Sequence, residues 1–317
     1  MKPVRVAVVG VGSMGYHHAR VYRELSRTMP IELVGVVDAN YERARRVAFE
    51  FNTKAFASVE ALLREGVDAA SIAVPTSLHR DIALELIEDG VHVLVEKPIA
   101  DTLEKALEIV RAAEKQGVIL LVGHIERFNP AVQMLREILM EGELGEPITI
   151  SAKRVGPFVQ RISDTGVIVD LAVHDIDVMN YLLGRGPSSV YAKARNIKHP
   201  SGFEDYALIM LSYDNLVDGI IEVNRLTPYK ARQLTVVGTR GIAELDYISQ
   251  SLRIYNERYI KEARVPREEP LKRELRHFIE CVTDNKKPLV SGAEGVLALQ
   301  VALAAIESYR SGRVVKA

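Results

Sequence analysis

At 317 residues, with 48% hydrophobic and 26% charged residues, the chain is long enough for two domains that each bury a core. Its 41 Lys and Arg are balanced by 42 Asp and Glu, so it lacks the basic excess by which a nucleic-acid binder neutralises phosphates. Cys281 has no partner for an internal disulfide, no apolar run approaches the roughly 18 residues that span a bilayer, and strand-like sequence starts at Val4, so a cytoplasmic protein with no nucleic-acid or membrane partner is expected.

In chain order, short apolar runs at 4–9, 31–37, 69–74, 92–95 and 119–122 read as buried strands. Between them, 14–25, 41–51, 59–64, 78–88 and 102–115 carry apolar residues at helical spacing, and Gly66, Gly90 and Gly117 stand where helices would stop. Strands alternating with helices predict a doubly wound α/β Rossmann domain over 1–122 with a parallel sheet. Past 122 the pattern changes. A helix over 131–140 leads to a strand at 148–153 and a helix over 170–183; strands follow at 189–197, 206–212, 217–223, 234–237 and 243–247, then helices at 271–282 and 294–309. Strands that succeed one another across short turns predict an α+β domain over 123–317 with a large, mainly antiparallel sheet. The helix over 271–282 holds Cys281, read as a small buried hydrophobe.

Gly10-Val11-Gly12-Ser13-Met14-Gly15 has the form G-x-G-x-x-G, a weak signal alone. It follows the first strand at once and opens a helix, so Gly10, Gly12 and Gly15 can turn tightly, admit a pyrophosphate and pack helix on strand, while the amides at Ser13 and Met14 face the phosphates. Asp38 ends the second strand, where a carboxylate accepts from the adenine ribose hydroxyls and repels a 2'-phosphate; NAD is therefore expected rather than NADP. The plainer alternative makes Asp38 the N-cap of the next helix. Arg43, Arg45 and Arg46 could meet a 2'-phosphate, although charges clustered on a helix are ordinarily a solvated face. Asp170 and His174 are four apart, so a helix would present both on one face.

With the Gly-rich turn, Asp38, Val74-Pro75-Thr76-Ser77-Leu78-His79, Glu96-Lys97-Pro98 and Asp170-Leu171-Ala172-Val173-His174 in this order, the whole chain resembles the Gfo/Idh/MocA oxidoreductases. The resemblance implies that Lys97 lies beside the nicotinamide and the substrate hydroxyl, with Asp170 and His174 supplied by a helix of the second domain. It adds Pro75, Thr76, His79 and Glu96 to the cofactor site and implies no metal. Oxidising a secondary alcohol needs a proton acceptor, which suits His174; Lys97 would hold the hydroxyl and its developing charge, and Asp170 a neighbouring hydroxyl or the imidazole. The family's T-P-N-x-x-H segment is altered here, with Val74 and Thr76 in place of Thr and Asn, and His79 reads equally well as a structural first-turn residue.

Gly123-His124-Ile125-Glu126-Arg127-Phe128-Asn129-Pro130, Lys153-Arg154 and Arg161 resemble the nucleotide-sugar branch of the family, which implies oxidation of UDP-N-acetylglucosamine at C3 to the 3-keto sugar. Arg127, Asn129, Arg154 and Arg161 then become candidate substrate contacts, the arginines as diphosphate donors. A free polyol such as inositol is the alternative substrate, and a non-catalytic NAD or sugar-nucleotide sensor the alternative class. A homodimer or homotetramer is expected, with Ile209, Leu211, Ile220 and Val223 as outward apolar positions of the second sheet.

Overall fold

The computed structural model describes residues 2–158, 165–198, 202–214 and 216–317. The chain forms two compact units: residues 1–125 with 269–296, and residues 126–268 with 297–317. A single boundary near 122 therefore misassigns one segment. Residues 269–296, read from sequence as part of the second domain, belong to the first.

The first unit is built on β1 (Val4–Val9), α1 (Ser13–Leu25), β2 (Ile31–Val37), α2 (Tyr41–Glu50), β3 (Lys54–Phe56), α3 (Val59–Leu63), β4 (Ala69–Ile72), α4 (His79–Glu88), β5 (His92–Glu96), α5 (Leu103–Gln116) and β6 (Leu120–Gly123). Its six strands are parallel, in the order β3-β2-β1-β4-β5-β6, the doubly wound order with a switch point between β1 and β4. Val6 to Val9, Ala69 to Ile72 and Val93 to Val95 are buried, which is why these strands read as unbroken apolar runs. Asn40, Ser58 and Thr102 cap α2, α3 and α5 through their side chains, and Gly117 ends α5 at φ 67°. Only β3 escapes the sequence pattern, because three residues are too few to show a period of two.

The second unit contains α6 (Pro130–Met140), β7 (Pro147–Val155), α7 (Val173–Leu183), β8 (Ser189–Arg195), β9 (Tyr206–Tyr213), β10 (Val217–Asn224), β11 (Ala231–Gly238), β12 (Ile242–Asp246), β13 (Ser251–Tyr255) and β14 (Ile260–Glu262). The helix α8 (Pro270–Asp284) returns to the first unit and packs on α1; α9 (Gly292–Ser311) and β15 (Val315–Lys316) close the chain. The nine strands run β14-β13-β12-β11-β7-β10-β9-β8-β15, all neighbours antiparallel except β7 with β10.

One face of this sheet is covered. Ile150, Ala152, Ile209, Leu211, Ile221 and Val223 point into it and are buried, with α6 and α7 packed on that side. Side chains alternate strictly along a strand, so the opposite face shows Leu208, Met210 and Ile220, which are 40%, 53% and 39% exposed. Of the four residues expected outward, only Ile220 is; Ile209 and Leu211 on β9 and Val223 on β10 belong to the core. No helix among the described residues is long and apolar enough to cross a membrane. Cys281 is buried on α8, and burial pushes its thiol up to about 11.

Candidate active-site residues of the two units

In the first unit, the Gly-rich turn joins β1 to α1 as its sequence requires. Gly10 has φ 83°, and a Cβ there would meet Ala73 backbone at 2.8 Å. At Gly15 a Cβ would fall 1.8 Å from the Gly10 carbonyl oxygen, so only glycine lets α1 approach the strand this closely. Gly12 is different in kind: a Cβ would meet only the Arg43 guanidinium, at 3.7 Å, which leaves room above the helix N-terminus. Gly12 caps α1 without a side-chain hydrogen bond, and the first turn, beginning at Ser13 and Met14, holds no acidic residue. The amides there are suited to an anion.

Asp38 is 8% exposed at the end of β2. One carboxylate oxygen accepts from the Val11 amide at 2.9 Å and the other from the Asn40 amide at 2.8 Å. The helix cap is Asn40, not Asp38, which disposes of the plainer alternative. Each carboxylate oxygen keeps a further lone pair for a ribose hydroxyl. A cavity of about 1110 Å³ opens here, lined among others by Gly12, Asp38, Arg43, Ser58, Val74 and Pro75. An open second glycine, unblocked helix amides and a carboxylate facing a cavity together fit the diphosphate and ribose of a dinucleotide. Thr76 begins a short 3-10 turn, Thr76–Leu78, directly after Pro75.

Two residues expected at the cofactor make internal hydrogen bonds. His79 is 1% exposed, with Nδ1 2.9 Å from the Pro98 carbonyl oxygen and Nε2 3.0 Å from that of Val74. Burial pushes its imidazole below the ordinary value, against the pull of the two carbonyls. Glu96 accepts from His18 Nε2 at 3.0 Å through one oxygen and from the Lys97 amide at 3.2 Å through the other. Lys97, one residue past β5, is half-buried.

In the second unit, the helix bearing Asp170 and His174 does not start as an α-helix. Residues Ile168–Ala172 form a π-turn that runs into α7 at Val173, a local widening that recurs at functional sites. Asp170 and His174 are both half-buried, whereas Asp175 and Asp177 just beyond them are fully buried. Arg225 pairs with the Asp170 carboxylate. Glu204 accepts from the Ile168 amide at 3.1 Å, and the Val167 amide donates to its backbone carbonyl at 3.0 Å. Neither Arg225 nor Glu204 stands out in the sequence, because each is recruited from the neighbourhood of β9 and β10 only by the fold.

The arginines expected at a diphosphate are otherwise engaged. Arg127, 5% exposed, makes a forked ion pair with Asp177 at 2.7 to 3.1 Å and stacks over Tyr181. Arg154, 2% exposed, forks onto Asp175 at 2.8 and 3.1 Å and reaches Glu126 at 3.0 Å. Burial works against its charge, but the two carboxylates more than offset this and raise its pKa. Asn129 is buried as the cap of α6 and donates to the Tyr247 carbonyl at 3.1 Å. A buried charge needs its partner, and Arg127 and Arg154 each have carboxylate partners within the second unit, while the Asn129 amide is taken up by the helix cap and the Tyr247 carbonyl. Arg161 lies outside the described residues. Among the described residues no group of His, Cys, Asp and Glu could hold a metal ion.

Comparison with known proteins accords with these two units. Residues 4–124 match the model of the oxidoreductase family with an NAD-binding Rossmann fold, and residues 132–244 that of the GFO/IDH/MocA C-terminal domain. The UDP-N-acetylglucosamine 3-dehydrogenase of Acidithiobacillus ferrooxidans is 32% identical over 96% of this chain and 98% of its own. A solved structure of that protein superposes with a TM-score of 0.89 over 98% of this chain and 99% of that one. The scyllo-inositol 2-dehydrogenase (NAD(+)) of Bacillus subtilis is also 32% identical, over 99% of this chain and 96% of its own. The chain therefore belongs to the Gfo/Idh/MocA family of oxidoreductases, with an NAD-binding Rossmann domain as its first unit.

Proposed function

We propose that this protein oxidises a ring secondary hydroxyl of a sugar or polyol to a ketone, with Lys97, Asp170 and His174 as the reacting groups and NAD in preference to NADP. The observation that carries the reading is the half-buried His174 one turn from Asp170, whose charge is held by Arg225. Bound NAD would supply the acceptor for the hydride that leaves the carbinol carbon. The chain's own residues handle the proton and the charge. His174 accepts the hydroxyl proton, Lys97 donates a hydrogen bond to the oxygen as it becomes negative, and Asp170, kept anionic by Arg225, accepts from an adjacent hydroxyl. Asp38 favours NAD because its carboxylate would oppose a 2'-phosphate.

UDP-N-acetylglucosamine, oxidised at C3, is the first substrate to test, supported by the near full-length likeness to the enzyme of Acidithiobacillus ferrooxidans. Inositol is the second, favoured by the commitment of Arg127 and Arg154 to carboxylates, which leaves fewer cations for a diphosphate. Absorbance of reduced nicotinamide with UDP-N-acetylglucosamine, scyllo-inositol and myo-inositol decides between them. Turnover of an inositol but of no nucleotide sugar would eliminate the first reading. Binding of either without turnover would make the protein a sensor.

The open face of the second sheet supports a homodimer or homotetramer, since Leu208, Met210 and Ile220 form an apolar strip across β9 and β10. Sedimentation of the wild type and of Met210→Lys tests this; an unchanged mass would remove the face from consideration.

A further inference from the structure

His18 is fully buried on α1, five residues after that helix begins at Ser13. Its Nε2 lies 3.0 Å from Glu96 Oε1, while its Nδ1 is buried with no hydrogen-bond partner. The proton therefore belongs on Nε2. From there it is donated to the carboxylate, whereas a ring protonated at Nδ1 alone would strand a buried donor and set two lone pairs against each other at Glu96. The second oxygen of Glu96 accepts the backbone N–H of Lys97 at 3.2 Å. Burial acts to raise the Glu96 pKa, but the hydrogen bond and charge of His18, the Lys97 charge and the Lys97 amide outweigh it and hold the carboxyl below its ordinary value.

The carboxylate is also confined from the neighbouring strand. Glu96 is paired with Gly123 of β6, and a Cβ at 123 would come within 3.1 Å of the carboxylate carbon and Oε2. Beyond Lys97, the Pro98 carbonyl is held by His79 Nδ1 at 2.9 Å. Both neighbours of Lys97 are thus anchored to buried histidines on different helices.

We propose that His18, acting through Glu96, is a positioning residue for Lys97: the bridge from α1 to the end of β5 sets the direction in which the lysine side chain leaves the strand. The proposal rests on the reading that Lys97 meets the reacting hydroxyl; the bridge itself does not. Because α1 also carries the amides that face the dinucleotide phosphates, one contact ties the cofactor's helix to the residue that handles the substrate oxygen. Misplacement of a reacting group by about 1 Å costs on the order of 100-fold in rate, so a bridge of this kind matters more for turnover than for binding.

The test uses His18→Leu, His18→Gln, Lys97→Met and the double variant His18→Leu with Lys97→Met. The first readout needs no turnover: hydrogen exchange of the Lys97 amide in the free protein. It should accelerate about tenfold or more in His18→Leu, since its acceptor is no longer fixed, and return toward wild type in His18→Gln, whose side-chain amide can donate to Glu96. Should His18→Leu fail to fold, Gly123→Ala presses the same carboxylate from β6 and serves for the exchange measurement. The second readout is kinetic: His18→Leu should lower kcat with the NAD dissociation constant nearly unchanged, and the loss should vanish in the Lys97→Met background. Unchanged exchange in His18→Leu or Gly123→Ala overturns the bridge. Faster exchange with additive kinetic losses overturns the action through Lys97. Undiminished turnover in Lys97→Met overturns the reading of Lys97 and this proposal with it, and the exchange data tell that failure apart from failure of the bridge.

Discussion

Asp170 and Arg225 form an ion pair in which the guanidinium side chain is 3% exposed and the carboxylate side chain 22%. The pair is asymmetric: the cation is enclosed, while the anion is partly exposed. An adjacent guanidinium favours the charged form of a carboxylate and fixes its orientation. The start of the helix is fixed as well, since Glu204 takes the Ile168 amide and Arg225 reaches the Thr165 carbonyl at 3.5 Å.

Removing the cation should therefore damage both fold and turnover. Arg225→Met leaves the Asp170 carboxylate without its buried counter-charge, and kcat/KM should fall by roughly 10- to 100-fold, or about 1.4 to 2.7 kcal/mol of transition-state stabilisation. Arg225→Lys keeps the charge but loses the planar fork, so it should recover part of the loss. Equal activity in Met and wild type would show that Asp170 needs no partner.

His174→Ala removes the proposed proton acceptor. Turnover should drop on the order of 100- to 10,000-fold, the range for loss of a general base, with the NAD dissociation constant little changed. Steady-state rates together with a direct NAD binding measurement check this, and retained turnover would exclude His174 from the chemistry.

Asp38→Ala deletes the carboxylate that meets the Val11 and Asn40 amides and leaves Arg43, whose guanidinium lies 3.6 Å from it, beside an emptied position. The ratio of kcat/KM for NAD over NADP should narrow by about tenfold or more, equivalent to ~1.4 kcal/mol. A ratio that stays put would assign cofactor choice to another residue.

Arg127 offers a test of the core assignment. Arg127→Met strands Asp177 without its buried partner, which should cost roughly 3 to 5 kcal/mol of stability and lower Tm by several degrees. If Tm holds while KM for a nucleotide sugar rises, Arg127 is a substrate contact after all.

Acidification should act through His79. Burial depresses its folded pKa, so the unfolded chain binds the extra proton more readily. Stability from this group is intact above the unfolded value of about 6.5 and is lost as pH falls through the folded pKa. His92 and His277 are shifted downward by burial in the same direction. Tm measured from about pH 7.5 down to pH 5 should decline more steeply in the wild type than in His79→Gln; parallel curves would remove His79 from the acid response.

What the sequence determined by itself are features encoded over short distances. The alternation of five parallel strands with helices follows from local periodicity and helix-ending glycines, and the dinucleotide turn from Gly10, Gly12 and Gly15 in succession. What the tertiary structure decided are the partners of charged side chains and the phase of a sheet. Arg127 meets Asp177 from 50 residues away, His18 meets Glu96 from 78, and Asp170 meets Arg225 from 55. An arginine in a sequence is a candidate phosphate donor or half of a buried ion pair with equal right, because the difference lies in a carboxylate that no local pattern announces. The return of 269–296 to the first unit and the inward phase of Ile209 and Leu211 have the same cause: amphipathic periodicity shows that an element has a buried face, and only packing against remote chain settles which surface buries it.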